Sequence, residues 1–62
     1  MNSIIITVTE HIHGECELDV SRVVALVPRR KELFFESTYW KLNDADFDRV
    51  SELWHKLKGV EQ

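Results

Sequence analysis

From Ile4 to Val20 the apolar side chains, Ile5 apart, fall on even-numbered positions: Ile4, Ile6, Val8, Ile12, Cys16, Leu18 and Val20. The odd positions after Gly14 are acidic: Glu15, Glu17 and Asp19. A period of two is the signature of a strand with one dry and one wet face. The β-branched run Ile4-Ile5-Ile6-Thr7-Val8-Thr9 suits the same geometry. Two such strands around a glycine predict a hairpin. A one-residue slip would turn every side chain to the wrong face, so even residues must oppose even residues across an odd-numbered loop. A three-residue loop at residues 13–15 pairs Ile12 with Cys16 and Val8 with Val20. A five-residue loop pairs Val8 with Leu18 and Ile6 with Val20. Either places Gly14 where a positive φ is needed. Glu10 is the misfit, a charge on the apolar parity, and is expected at a sheet edge.

The following segments predict three more strands. Val23-Val24-Ala25-Leu26-Val27 is apolar without alternation, so it is expected to be covered on both faces. Pro28 stops it, and Arg29-Arg30-Lys31 makes a basic turn. Leu33-Phe34-Phe35 and Tyr39-Trp40-Lys41-Leu42 are short strands separated by Ser37-Thr38. Strands are therefore expected at about 4–10, 15–20, 23–27, 32–36 and 39–42.

A helix is predicted over 44–58. Asn43 is a good N-cap, and Asp44, Asp46 and Asp48 bring negative charge to the positive end of the helix dipole. Leu42 and Phe47 stand at the two positions of a hydrophobic staple. Phe47, Val50, Leu53, Trp54 and Leu57 form one stripe. Glu52 and Lys56 are spaced for an i,i+4 pair, and Gly59 suits the C′ position. The reading is an α+β domain over 1–62: an antiparallel β-meander of four to five strands with one C-terminal amphipathic helix packed on it.

At 62 residues the chain holds one domain. A domain of this size buries only about 60% of its unfolded-state surface. Cys16 is the only cysteine, which excludes an intrachain disulfide and points to a reducing, cytoplasmic setting. The longest apolar run near the N-terminus is Ile4-Ile5-Ile6, too short for a signal peptide or a membrane span. The net charge of -3 disfavours nucleic acid, whose binders draw affinity from neutralising phosphates. One helix covers one face of a small sheet, expected to carry Ile4, Ile6, Leu18, Val20 and Leu26 with part of Leu33, Phe35, Trp40 and Leu42. A second apolar set remains: Ile5, Val23, Ala25, Val27, Phe34 and Tyr39. Left on a monomer, such a surface marks an interaction site. Self-association, as a dimer, through Ile5, Val23, Val27, Phe34 and Tyr39 is therefore expected. Arg29, Arg30 and Lys31 are the candidates for contact with a further protein partner.

Other chemistries find less support. His11 and His13 share a strand face and Cys16 lies close, all zinc-binding types, but Cys16 has the opposite parity and no fourth ligand is close in sequence, His55 on the helix being the one that could approach. Carboxylates around Cys16 would raise its thiol pKa rather than activate it. Ser21, Ser37 and Ser51 lack a local base motif, and phosphate-loop and paired-carboxylate motifs are missing. No enzyme, cofactor or membrane role is expected. A nucleic-acid module using residues 29–31, beside Phe34, Phe35, Tyr39 and Trp40, and a metal-linked module at His11, His13 and Cys16 are the alternatives.

A glycine turn, Leu18-Asp19-Val20, Val24 and Leu26 ahead of Pro28, Leu33, Phe35, Ser37-Thr38, and Leu42 before an acidic helix start with Phe47 and Val50 form a spaced pattern over about residues 4–57. It resembles the FlbD-like family of small flagellar-operon proteins and similar short phage or prophage proteins. The chain departs from that pattern in lacking glycine after Phe35 and in adding Trp40, Trp54 and the His11/His13 pair. The resemblance implies an antiparallel sheet plus helix, no catalytic residues, and a small regulatory or partner-binding role.

Overall fold

A computed structural model describes residues 4–59. Five antiparallel strands precede one helix: β1 Ile5–Glu10, β2 Gly14–Asp19, β3 Ala25–Val27, β4 Glu32–Phe34, β5 Tyr39–Lys41 and α1 Asp44–Lys58. They form two sheets, β1-β2 and β3-β4-β5. The sheets meet at one isolated bridge between Glu10 and Leu42, where the His11 N–H donates to the Lys41 carbonyl at 2.9 Å.

The hairpin keeps even residues opposite even residues, but in neither expected register. Val8 faces Cys16, Ile6 faces Leu18 and Glu10 faces Gly14, across a three-residue loop at 11–13. Gly14, at φ 80°, opens β2 instead of lying within the loop. A left-handed residue after a three-residue loop is a common way to close a hairpin. Ile12 is thereby thrown into solvent, 76% exposed.

The predicted strand over 23–27 is shortened at its start. Asp19 Oδ1 accepts from the Ser21 N–H at 3.0 Å and the Ser21 hydroxyl at 2.6 Å, and the chain turns through a single 3-10 turn, Val20–Arg22. An aspartate bonding the backbone two residues on competes with strand pairing. Val23 closes that turn and lies fully in the core. Its expected place on the second, outward face is therefore corrected.

The buried core is Val8, Leu18, Val20, Val23, Leu33, Leu42, Phe47 and Val50, with Ile4, Ile6, Leu26, Phe35, Trp40, Leu53 and Trp54 packed around it. Helix α1 has the predicted ends: Asn43 Oδ1 accepts the Asp46 N–H at 2.8 Å, and Gly59 is left-handed at φ 68°. The helix is tied to the segment before β3 and to β1 by hydrogen bonds. Trp54 Nε1 donates to the Val23 carbonyl at 2.8 Å, and Asp46 Oδ2 accepts the Thr9 N–H of β1 at 2.8 Å. No Glu52–Lys56 ion pair forms among the described residues; the helix-surface pair that does is Asp46–Arg49, at 3.0 Å. No helix among them is long and apolar enough to cross a membrane.

Candidate protein-interaction surface

The three-stranded sheet is built in rows. Leu26, Leu33 and Trp40 lie opposite one another and pack on the core. The alternate positions must then face outward. One outward row is Ala25, Phe34 and Tyr39, and the next is Val27, Glu32 and Lys41. Phe34 and Tyr39 stack with ring centroids 5.5 Å apart and are 36% and 55% exposed. Neither ring is drawn into the fold, so the chain presents an aromatic patch, in addition to the exposed aliphatic side chains Ile5, Ile12 and Val24. The run over 25–27 is consequently covered on one face only, by Leu26.

Of the five residues expected to self-associate, Val27, Phe34 and Tyr39 share this surface. Val23 is in the core. Ile5 is 60% exposed but belongs to the other sheet, opposite Asp19.

The basic turn adjoins the second outward row without acting as one cluster. Lys31 has a left-handed backbone, φ 56°, and turns its ammonium over the Phe47 ring, 5.5 Å from the centroid. Arg30 lies 3.8 Å from Glu32, and its carbonyl accepts from Lys41 Nζ at 3.0 Å. Arg29 has no ion-pair partner among the described residues. Three diverging cations, one held against the helix and one against a carboxylate, make a poor track for a phosphate backbone. Lys41 and Glu32 instead give the patch a rim of both signs.

His11, His13 and Cys16 do not converge. Cys16 is half-buried opposite Val8, its thiol turned to the Gly14 carbonyl at 3.4 Å. His13 Nδ1 lies against Glu10 at 2.7 Å. No group of three or more metal-ligating side chains is gathered among the described residues. On the helix surface Ser51 Oγ lies 3.5 Å from His55 Nδ1, but that nitrogen is 2.8 Å from the Ser51 carbonyl and must donate to it. It therefore offers the hydroxyl no base.

A cleft of about 240 Å³ opens between β2 and the inner face of the second sheet, lined by Leu18, Phe35, Thr38 and Trp40 and rimmed by Glu17, Asp19 and Arg22. Phe35 and Trp40 meet edge to face there, 5.2 Å apart. Sequence reasoning missed this cleft because it exists only where the two sheets diverge.

Comparison with family models, with curated proteins and with solved structures returns no match for this chain.

Proposed function

We propose that this chain is a small, non-enzymatic protein-binding module, of the regulator or inhibitor kind, that pairs with a second copy through the outer face of β3-β4-β5. The observation that carries this reading is the solvent-facing Phe34–Tyr39 stack beside Ala25. Aromatic residues are enriched in interface cores because they bury much area at small entropic cost. A two-fold contact also suits the rim: Glu32 of one copy can approach Lys41 of the other, and the reverse. Arg29 and Arg30, at the end of the same sheet, are then placed to touch a further partner. The FlbD-like resemblance agrees with a small regulatory chain.

The size of the face limits the affinity. Three strands about 4.8 Å apart and three residues long, at about 3.3 Å each, give a patch roughly 10 Å on a side. A standard interface buries about 800 Å² per partner. Even with its charged rim included, a face of that footprint falls well short of that figure, so a weak dimer that dissociates on dilution is expected.

Light scattering over a concentration series tests this. The wild-type mass should rise from one chain towards two. Phe34→Asp should hold it at one chain, and Ile5→Asp, on the other sheet, should follow the wild type. A wild-type mass of one chain at every concentration, or a Phe34→Asp protein indistinguishable from wild type, would end the proposal.

A further inference from the structure

Glu10 is the one buried charged residue among those described, 4% exposed. Its side chain is fully committed at one oxygen. Oε1 accepts the Ile12 N–H at 3.0 Å and the His13 N–H at 2.7 Å, and His13 Nδ1 lies 2.7 Å away. A carboxylate can only accept, so Nδ1 is the protonated nitrogen of that contact. The residue that gathers these donors is also the residue at which the two sheets join, by the Glu10–Leu42 bridge and the His11 N–H to Lys41 carbonyl bond.

We propose that Glu10 is an acid-released clasp: ionised, it gathers the Ile12 and His13 amides into the folded tip that sets the His11 N–H on the Lys41 carbonyl of β5, and protonated, it lets that tip loosen and leave the β5 edge. Adding a proton replaces a charged acceptor by a neutral carboxyl and weakens all three contacts together, since bonds to ionised groups are about twice as strong as neutral ones. The Asp46–Thr9 and Arg49–Thr7 contacts hold β1 on the helix and do not involve the tip. The motion therefore pivots at the end of β1 and leaves the strand in place.

The other ionisable groups facing this point are few. A cleft of about 270 Å³ between the tip and β5 is lined by His11 and His13 from the tip, Glu32 from β4, and Tyr39 and Lys41 from β5. Of these, His13 favours the ionised carboxylate, through its ring as well as its N–H. The His13 N–H is the largest influence and, with the histidine ring and the Ile12 N–H, holds the Glu10 carboxyl below its ordinary 4.5 against the raising effect of burial. Release thus belongs to acid below that value. The clasp does not rest on the self-association reading, but its cleft borders Glu32, Tyr39 and Lys41 of the outer face, so exchange is read at a dilution where the chain is a single copy.

Amide exchange by NMR on the intact chain, across the titration of the Glu10 side-chain carboxyl carbon, tests the clasp. The His11 amide reports the join. The Val20 amide, bonded to Ile4, and the Val24 amide, bonded to Phe34, report each sheet. Corrected for intrinsic rates, exchange of the Ile12 and His13 amides, which bond the carboxylate, should rise about tenfold or more, the factor for losing one bond to a charged group, and the His11 amide should speed up with them, while Val20 and Val24 stay protected. Glu10→Gln should show the fast His11 exchange already at neutral pH. Unchanged His11 protection through the titration overturns the proposal. So does a loss shared equally by Val20 and Val24, which would be whole-domain unfolding. Wild-type protection in Glu10→Gln overturns it too, and if that variant does not fold, the wild-type titration still decides.

Discussion

Trp54 shows how much one polar atom can organise. Its ring packs against the core while its N–H satisfies the carbonyl of Val23, the residue at which the chain leaves the 3-10 turn for β3. Trp54→Phe keeps most of the apolar area and removes the donor, so a loss of about 1–2 kcal/mol is expected from urea unfolding. The indole N–H signal of Trp54 should also outlast the other indole's in deuterium oxide. Acid sensitivity has its origin at this scale as well. The Ser21 hydroxyl, foremost, with the Ser21 and Ile4 N–H groups and Arg22, holds the Asp19 carboxyl below its ordinary 3.8, and Glu10 is likewise lowered from 4.5. Groups with lowered folded values stabilise above the unfolded value and lose that contribution as pH falls through the folded one. The melting temperature should therefore drop progressively below about 4.5, and Glu10→Gln should flatten the upper part of that drop in a calorimetric series. The parity of Glu10 marked it as an anomaly in the sequence. Its role was not legible, because that role depends on a side chain folding back on the two backbone groups beyond it.

The elements were legible in proportion to how locally they are determined. Helix α1 carries its own cap, dipole charges, stripe and terminal glycine, and it occupies the expected residues 44–58. Asn43→Ala should cost about 1 kcal/mol in denaturant unfolding, whereas Asp48→Ala, at an exposed site, should stay within about 0.5 kcal/mol. Asp46 falls between these cases, since it is readable as a helix-dipole charge but not as the acceptor for the Thr9 N–H of β1 at the exposed surface. The hairpin illustrates the opposite limit. Alternation settled which faces meet but not where the turn lies, and Glu10 sets the loop at 11–13. The third strand, Ala25–Val27, is shorter than its apolar run because Asp19 and Ser21 form a turn that the apolar pattern does not display.

Across the whole molecule, the core draws on almost every part of the chain. Leu33, wholly buried, touches a core assembled from β1, β2, the 3-10 turn, β4, the residue after β5, and α1. Removing such a side chain costs about 2–5 kcal/mol, against a total that rarely exceeds about 3–5 kcal/mol at this size. Leu33→Ala should consequently lose most amide dispersion and cooperative melting. Phe34→Asp, one residue away but facing outward, should keep both. The candidate surface was partly legible for the same reason. Counting apolar residues against the reach of one helix foretold a surplus, but only the fold could show that Val23 is absorbed and Ile5 belongs to another sheet.

The tie from Trp54 back to Val23, 31 residues apart, has a consequence during synthesis. A two-stranded hairpin alone is marginal in water, and neither sheet here has a finished interior until the helix arrives. On the ribosome, then, the isoleucine-rich opening stretch must wait unshielded until residues through Trp54 have emerged. That interval is when chaperone capture, or misassembly between neighbouring nascent chains, has its opportunity.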